Sequence, residues 1–483
     1  MRDHRTTSGG PELLLRLDRS GGRPLRDQLE AELRAAVRDG RLEPGGRLPA
    51  SRTLAADLGL SRGVVVEAYA QLIGEGYLEA RRGSGTRVAA GVSGRNGDGR
   101  DHTAAWPADT DAPGRGPATA AALAPAGPRI DFRPGIPDLS SFPRAAWAAA
   151  LRRAALETPA WALGYGEPAG APPLRAALAA YLGRVRGVVA GAGGVMVVGG
   201  FSQALALLAR VLPGRVVAVE DPGSPGQSGL LERTGLELVP IGVDGEGLRV
   251  DELASSRARV VIVTPAHQFP TGVVLSPARR AALLAWARAR DGLVVEDDYD
   301  AEYRYDREPV GAVQGLAPDR VIYAGSVSKT LAPSLRLGWM VPPAALLPAL
   351  VQLKHDTDLG SPTLEQLAFA ELLSSGAYDR HLRRSRARQR RRRDALVAAL
   401  RRHAPALRVL GTAAGLHALV ELPAGCDEAA LVRRAAAAGI GLHGLAGHHA
   451  PGRAATPGLV LGYAALTETA IADGIRILAE LLE

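Results

Sequence analysis

Residues Tyr323 to Trp339 read Tyr-Ala-Gly-Ser-Val-Ser-Lys-Thr-Leu-Ala-Pro-Ser-Leu-Arg-Leu-Gly-Trp, and Lys329 at the centre is one of only two lysines in 483 residues, the other being Lys354. Arginine supplies the rest of the 58 basic side chains. A guanidinium stays protonated in proteins, whereas an amine can lose its proton and attack a carbonyl carbon to form a Schiff base. An amine set among Ser326, Ser328 and Arg336 therefore marks this stretch as a chemical site rather than a stray surface charge.

Around this stretch, apolar runs of strand length alternate with helical segments. The runs are Val195-Met196-Val197-Val198, Val216-Val217-Ala218-Val219, Val260-Val261-Ile262-Val263 and Leu293-Val294-Val295, with helices expected over Gln203 to Leu212 and Pro277 to Ala289. Such alternation predicts an α/β fold, a mostly parallel sheet with helices on both faces. After Pro342 helices dominate. A small C-terminal α/β unit follows, with strands in the segments beginning at Gly415 and Gly458.

The loops after the strands carry polar groups. Gly199-Gly200-Phe201-Ser202 forms a strand-to-helix turn whose backbone N–H groups point from the positive helix end, a phosphate cradle. Leu293-Val294-Val295 runs into Glu296-Asp297-Asp298-Tyr299-Asp300. An acid at a buried strand end is costly unless it meets a cation, and a pyridinium nitrogen is such a partner for Asp297. Asp298 and Asp300 are expected to be solvated loop acids.

Upstream, Leu25, Leu29, Leu33, Ala36 and Val37 recur at helical spacing until Gly40. Ser51 is expected to cap a helix ending at Gly59, and Ser61 a second helix running through Leu72. Two short helices of this kind read as a helix-turn-helix. Gly76 to Ala80 and Gly85 to Ala89 then form a hairpin, the wing of a winged helix. Arg52, Ser61 and Arg62, with Arg82, Ser84 and Thr86 on the wing, are the candidate contacts to phosphates or base edges of double-stranded DNA. Residues 12–89 make this domain, and 90–128, rich in Gly, Pro and Ala around Trp106, read as a flexible linker. Residues 129–483 form the larger domain.

Composition bounds the rest. A net charge of +8 favours an anionic partner, the single cysteine excludes an internal disulfide, and no apolar run is of membrane-spanning length. The expected location is the cytoplasm. The arginine run from Arg383 to Arg393 fits a long exposed helix with Leu382, Ala387, Leu396 and Ala399 as apolar partners, rather than a second DNA site.

Residues 23–89, with Gly40 to Ala55, Leu60-Ser61-Arg62, Gly76-Tyr77-Leu78 and Gly83-Ser84-Gly85-Thr86, closely resemble the DNA-binding domain of GntR-type regulators. The remainder resembles the fold-type I pyridoxal-phosphate enzymes of the aspartate aminotransferase family. Their order, with Asp131 to Leu139, His267 to Gly272 and Glu296 to Asp300, resembles the MocR/GabR subfamily of transcription regulators. The resemblance implies pyridoxal 5′-phosphate as cofactor, Lys329 as its Schiff-base lysine and Asp297 at the ring nitrogen. It places Tyr299 near the ring hydroxyl and Gly200, Phe201, Ser202, Ser326, Ser328 and Arg336 around the cofactor. Tyr165 would reach the phosphate of a neighbouring subunit, implying a homodimer.

Three departures stand out. Gly63-Val64 replaces a polar pair more often able to reach DNA; Ser224 stands where a ring-stacking tyrosine is usual; and Val460 stands where many aminotransferases hold a substrate carboxylate with arginine. Arg453 is a candidate replacement for that arginine. His443, His448 and His449 are read as solvated, and no metal is expected. The leading expectation is a regulator that senses an amino compound, or pyridoxal phosphate itself, through aldimine chemistry at Lys329. The alternative is an active aminotransferase with an appended DNA-binding domain.

Overall fold

The computed structural model describes Leu15, Leu17, Asp18 and residues 24–81, 85–90, 128–305, 310–453 and 456–482. The expectations for the linker with Trp106, and for Arg82 and Ser84 on the wing, lie outside the described residues.

Helices Leu25–Arg38, Ser51–Leu58 and Arg62–Glu75 precede the antiparallel hairpin β1 (Leu78–Arg81) and β2 (Gly85–Val88). Leu29, Leu33, Leu54, Leu58, Val65 and Leu72 are buried together, which is the expected amphipathic packing. Ser61 caps its helix, accepting from the Val64 N–H at 3.4 Å. Ser51 does not cap: it is the first helical residue, and Ala50 takes the capping position without a side-chain bond.

In the larger domain the strands are β3 (Ile130–Asp131), β4 (Met196–Val198), β5 (Val216–Asp221), β6 (Glu237–Asp244), β7 (Gly247–Leu248), β8 (Val260–Val263), β9 (Leu293–Asp298), β10 (Val321–Ser326), β11 (Gly338–Val341), β12 (Arg408–Leu410), β13 (His417–Glu421), β14 (Ile440–Gly441) and β15 (Gly458–Gly462). Eight of them form one sheet in the order β4-β11-β10-β9-β8-β5-β6-β7. The pairings β10–β9, β9–β8, β8–β5 and β5–β6 are parallel. This is the expected mostly parallel sheet, and its central strands are apolar because both faces are covered. A smaller sheet, β12-β13-β15, builds the C-terminal unit. β3 pairs with β14, so the start of the large domain returns to that unit.

Strand β9 extends through Asp298, so its acids are part of the sheet and not of a following loop. Asp298 and Asp300 are buried, contrary to the solvated reading. Asp298 pairs with Arg186 at 2.7 Å and accepts from the Tyr323 hydroxyl at 2.5 Å, while Asp300 lies 2.9 Å from His267 Nδ1. Buried carboxylates persist where they are paired in this way.

The arginine run lies within the helix Ala377–His403. Leu382, Leu396 and Ala399 are buried as expected, but Ala387 is exposed. The run is less solvated than anticipated, since Arg388 and Arg392 both pair with Asp138, at 3.1 and 2.9 Å. Arg383, Arg386 and Arg390 face Glu30, Glu67 and Gln71 of the winged helix across a cleft.

The winged helix packs against the segment before β10. A Cβ on Gly311 would meet Glu75 Cδ at 3.0 Å, and one on Gly315 would meet the Tyr77 hydroxyl at 2.7 Å. No helix among the described residues is long and apolar enough to cross a membrane.

Candidate functional site

A cavity of about 430 Å³ is lined by Phe201, Ser202, Asp297, Tyr299, Ser326, Ser328, Lys329 and Arg336. Phe201 and Ser202 follow β4, Asp297 and Tyr299 lie at the end of β9, and Ser326, Ser328 and Lys329 at the end of β10, three strands running in one direction, while Arg336 precedes the antiparallel β11. Register sets Ala324 beside Asp297 across β10 and β9, and Lys329 follows the end of β10.

At one end lies the turn from β4 into the helix Phe201–Leu208. Gly200, at φ 105°, adopts a backbone conformation that favours glycine, and a Cβ there would stand 3.2 Å from Arg336 Nη2. The guanidinium thus sits against the N-terminus of that helix, and together they form a corner suited to a phosphate. Sequence reasoning missed what supports it. Lys354 is completely buried and donates to Asp358 at 2.7 Å, Asp358 accepts from the Gln203 amide at 2.6 Å, and Gln203 Oε1 accepts from the Gly199 N–H at 2.6 Å. The second lysine of the chain therefore braces the glycine turn.

In the middle, the Lys329 amine donates to the Gly135 carbonyl at 2.6 Å. Burial pulls its pKa below the ordinary lysine value, and Asp300 and Asp297 partly oppose this. A lowered pKa raises the fraction of free amine available to bond a carbonyl carbon.

Asp297 occupies the far end. Burial pushes its carboxyl up to about 7, and a hydrogen bond from Gln227 Nε2 to Oδ2 at 2.7 Å acts in the opposite direction. A cation beside this carboxylate would remove the desolvation penalty. The Tyr299 hydroxyl lies 3.0 Å from His267 Nδ1, the atom that also contacts Asp300. Gln227 and His267 were not expected here; Gln227 follows Ser224 by one helical turn, and that proximity was the available signal. The phosphate corner, the amine and the buried acid are the groups that pyridoxal phosphate needs, and they fit it.

His267, Asp300 and His417 offer ligand-type atoms within 4.8 Å of one another. His267 Nδ1 is engaged by Asp300 and His417 Nε2 lies 3.2 Å from the Pro270 carbonyl, so the group is a hydrogen-bonded polar cluster beneath Tyr299.

The departures take definite places. Ser224 lines the cavity. Val460 is fully buried and packs with Leu419 and Leu445. Arg453 does not line the cavity; it donates to the Pro240 carbonyl at 2.7 Å and lies 3.3 Å from Asp221. His448 is buried, not solvated, with Nδ1 2.9 Å from the Gly223 carbonyl, and burial lowers its pKa to about 4. Tyr165 is 91% exposed, away from the cavity of its own chain.

On the winged helix, Arg52, Ser61 and Arg62 are exposed at the starts of adjacent helices, and Thr86 lies on β2 opposite Ala80. Two short helices followed by an antiparallel hairpin have the form of a winged helix.

The family model for bacterial regulatory proteins of the gntR family matches residues 25–88, and that for aminotransferase class I and II matches 130–441. The chain is 36% identical to the probable rhizopine catabolism regulatory protein MocR of Rhizobium meliloti, covering 96% of this chain and 95% of that protein. It is 34% identical to the HTH-type pyridoxine biosynthesis transcriptional regulator PdxR of Corynebacterium glutamicum, over 94% of each. Among solved structures it is similar to Pyrococcus horikoshii kynurenine aminotransferase in complex with PMP, at a TM-score of 0.69 and 30% identity, covering 74% of this chain and 91% of that one.

Proposed function

Because the chain belongs to the MocR-type regulators of the gntR family, in which an aminotransferase class I and II domain follows the winged helix, we propose that it is a transcription regulator carrying pyridoxal 5′-phosphate around Lys329. The observation that carries this is the meeting of Lys329, Asp297 and Arg336 in one cavity of a chain that also exposes Arg52 and Arg62 on a winged helix. Arg336, Ser326 and the N–H groups after Gly200 would hold the phosphate, Asp297 would face the ring nitrogen, and Tyr299 would lie near the ring hydroxyl. Bound there, pyridoxal phosphate supplies a carbon to which amines add reversibly. Arg52, Ser61, Arg62 and Thr86 would hold operator DNA, with Arg82 and Ser84 as further candidate contacts.

The effector in this reading is a small amino compound or pyridoxal phosphate itself, and it switches the protein only if it binds two arrangements unequally. Contacts between the two domains support this reading. Glu296 lies beside Asp297 in β9 and accepts from the N–H groups of Val313 and Gln314, both at 2.9 Å. That segment carries Gly311 and Gly315, against which Glu75 and Tyr77 of the winged helix pack.

A homodimer is part of the same reading. Leu156, Trp161, Leu163 and Tyr165 are exposed at 73, 84, 55 and 91%, a run of apolar groups suited to a second copy of the chain. Sedimentation is expected to give a dimer, and Trp161→Asp a monomer.

The test is footprinting of DNA upstream of neighbouring genes, with and without the cofactor, together with borohydride trapping of cofactor on Lys329. A protected site and a cofactor adduct on Lys329 are expected. Absence of protection in both forms removes the regulator reading, and transamination at ordinary enzymatic rates would favour an aminotransferase instead.

A further inference from the structure

His267 is a ring whose surroundings fix its orientation and its proton. Nδ1 lies 2.9 Å from Asp300 Oδ2 and 3.0 Å from the Tyr299 hydroxyl, and His267 and Asp300 are each 1% exposed. Two glycines clamp the ring: a Cβ on Gly415 would stand 1.9 Å from His267 Cε1, and one on Gly272 3.0 Å from Nε2. Without a proton, Nδ1 would set its lone pair against a carboxylate oxygen. With one, it donates to Asp300, and the carboxylate selects that form.

This form decides what Tyr299 can do. A protonated Nδ1 does not accept, so the Tyr299 hydroxyl proton cannot pass to His267. Asp300 acts on that hydroxyl directly, as a hydrogen-bond partner and as a neighbouring charge. In the reading proposed above, the ring oxygen of the cofactor also lies near Tyr299. One hydroxyl proton then has two anionic acceptors, and Asp300 can yield it because His267 remains as a donor to the carboxylate.

We infer that Asp300, held by His267, is a positioning residue that sets how fully the Tyr299 hydroxyl proton is shared with the ring oxygen of the cofactor. The inference rests on the cofactor reading above and concerns the same site. A stronger bond from Tyr299 stabilises negative charge on the ring oxygen and makes the cofactor-linked nitrogen of Lys329 easier to deprotonate. The Asp300 charge itself favours the protonated nitrogen, as it does for the free Lys329 amine. The acids Asp297, Glu220 and Glu302, the phenols Tyr305 and Tyr463, and His417 also face this group. They are common to every variant compared below, so differences among the variants isolate Asp300 and Tyr299.

The test is a pH titration of the visible absorption band in full-length protein loaded with pyridoxal phosphate, for the native chain, Asp300→Asn, Tyr299→Phe and the double variant. Tyr299→Phe is expected to raise the midpoint, and Asp300→Asn to lower it by about tenfold in proton concentration. With phenylalanine at position 299, only the charge of Asp300 is left to act, and the Asp300→Asn shift should fall to less than about half. An equal shift in both backgrounds, a shift of opposite sign, or an unmoved midpoint in either single variant overturns the inference while leaving the cofactor reading intact. Failure of the native protein to load a band that borohydride can trap on Lys329 overturns both. Should Asp300→Asn not fold, NMR of isotope-labelled histidine in the native protein decides, with His267→Asn for assignment. A proton on His267 Nδ1 is expected, and a bare Nδ1 overturns the inference.

Discussion

Gln227 donates its side-chain amide to Asp297 Oδ2 at 2.7 Å, one helical turn after Ser224. The bond engages one carboxylate oxygen and opposes the burial that raises the Asp297 pKa. In the proposed reading, with no aromatic residue at position 224, orientation of the cofactor rests more heavily on Asp297. Gln227→Leu is therefore expected to raise the dissociation constant for pyridoxal phosphate about tenfold, the equivalent of roughly 1.4 kcal/mol for a charge-assisted hydrogen bond. Absorbance titration measures it, and an unchanged constant would show that the amide has no positioning role.

Lys354 acts on the phosphate corner from a distance, through Asp358 and Gln203 to the Gly199 N–H. Lys354→Met keeps most of the buried volume and removes the charge. Asp358 is partly exposed, so the stability loss is expected to stay near about 1–2 kcal/mol rather than reach the roughly 3–5 of a fully buried broken pair. Cofactor affinity should fall with it, while operator affinity of the cofactor-free protein should not. Retained cofactor affinity would limit Lys354 to a purely local stabilising role.

Glu296 joins the cofactor strand to the seat of the winged helix. Burial and the neighbouring Asp298 push its carboxyl up to about 7, so its protonation and its bonds to Val313 and Gln314 are sensitive to what happens along β9. Glu296→Ala is expected to leave cofactor binding in place and to shrink the change in operator affinity on cofactor loading by at least threefold. Comparing DNA affinities of loaded and unloaded protein gives the answer; an undiminished change would place the coupling elsewhere.

Arg52 and Arg62 are exposed at helix starts and have different expected effects from any cavity residue. Each change to alanine should weaken operator binding about tenfold. A residue that contacts phosphate should also lower the salt slope by about one, whereas loss of discrimination among operator variants would mark a base contact. Neither change should alter the visible band of the bound cofactor.

The buried Asp297 carboxyl makes stability depend on pH. Burial raises Asp297 to about 7 in the folded chain, above an unfolded value of about 3.9. The folded state consequently binds more protons between these values. Its stability is highest below the unfolded value, declines by at most about 1.4 kcal/mol for each pH step of one between the two values, and levels off above about 7. Between pH 5 and 7 the cofactor-free protein should melt at progressively lower temperature. Asp297→Asn should make that decline shallower without abolishing it, because burial also raises Glu220 and Glu296 to about 7, and an identical slope would mean that Asp297 does not contribute.

Several parts were legible early because they rest on local pattern. The parallel strands were readable from short apolar runs, and the Ser61 cap from its place before a helical periodicity. Lys329 stood out through residue type, and Gly200 through the turn it occupies. Other parts depended on distant partners. Asp298 looked like a loop acid because Arg186, its partner, lies 112 positions away. Arg453 looked like a replacement carboxylate binder until Asp221 and the Pro240 carbonyl were seen to hold it. Ser51 failed as a cap because the helix begins one residue earlier than its polarity suggested.

Taken alone, the sequence determined the order of the two domains, the α/β character of the larger one and the identity of its exceptional amine, since periodicity and residue type act over short distances along the chain. Tertiary structure decided which acids are desolvated, which histidines are buried, how Lys354 reaches the phosphate corner and where the winged helix rests. Desolvation and ion pairing are set by what packs nearby in space, and these neighbours come from elements tens to hundreds of residues apart.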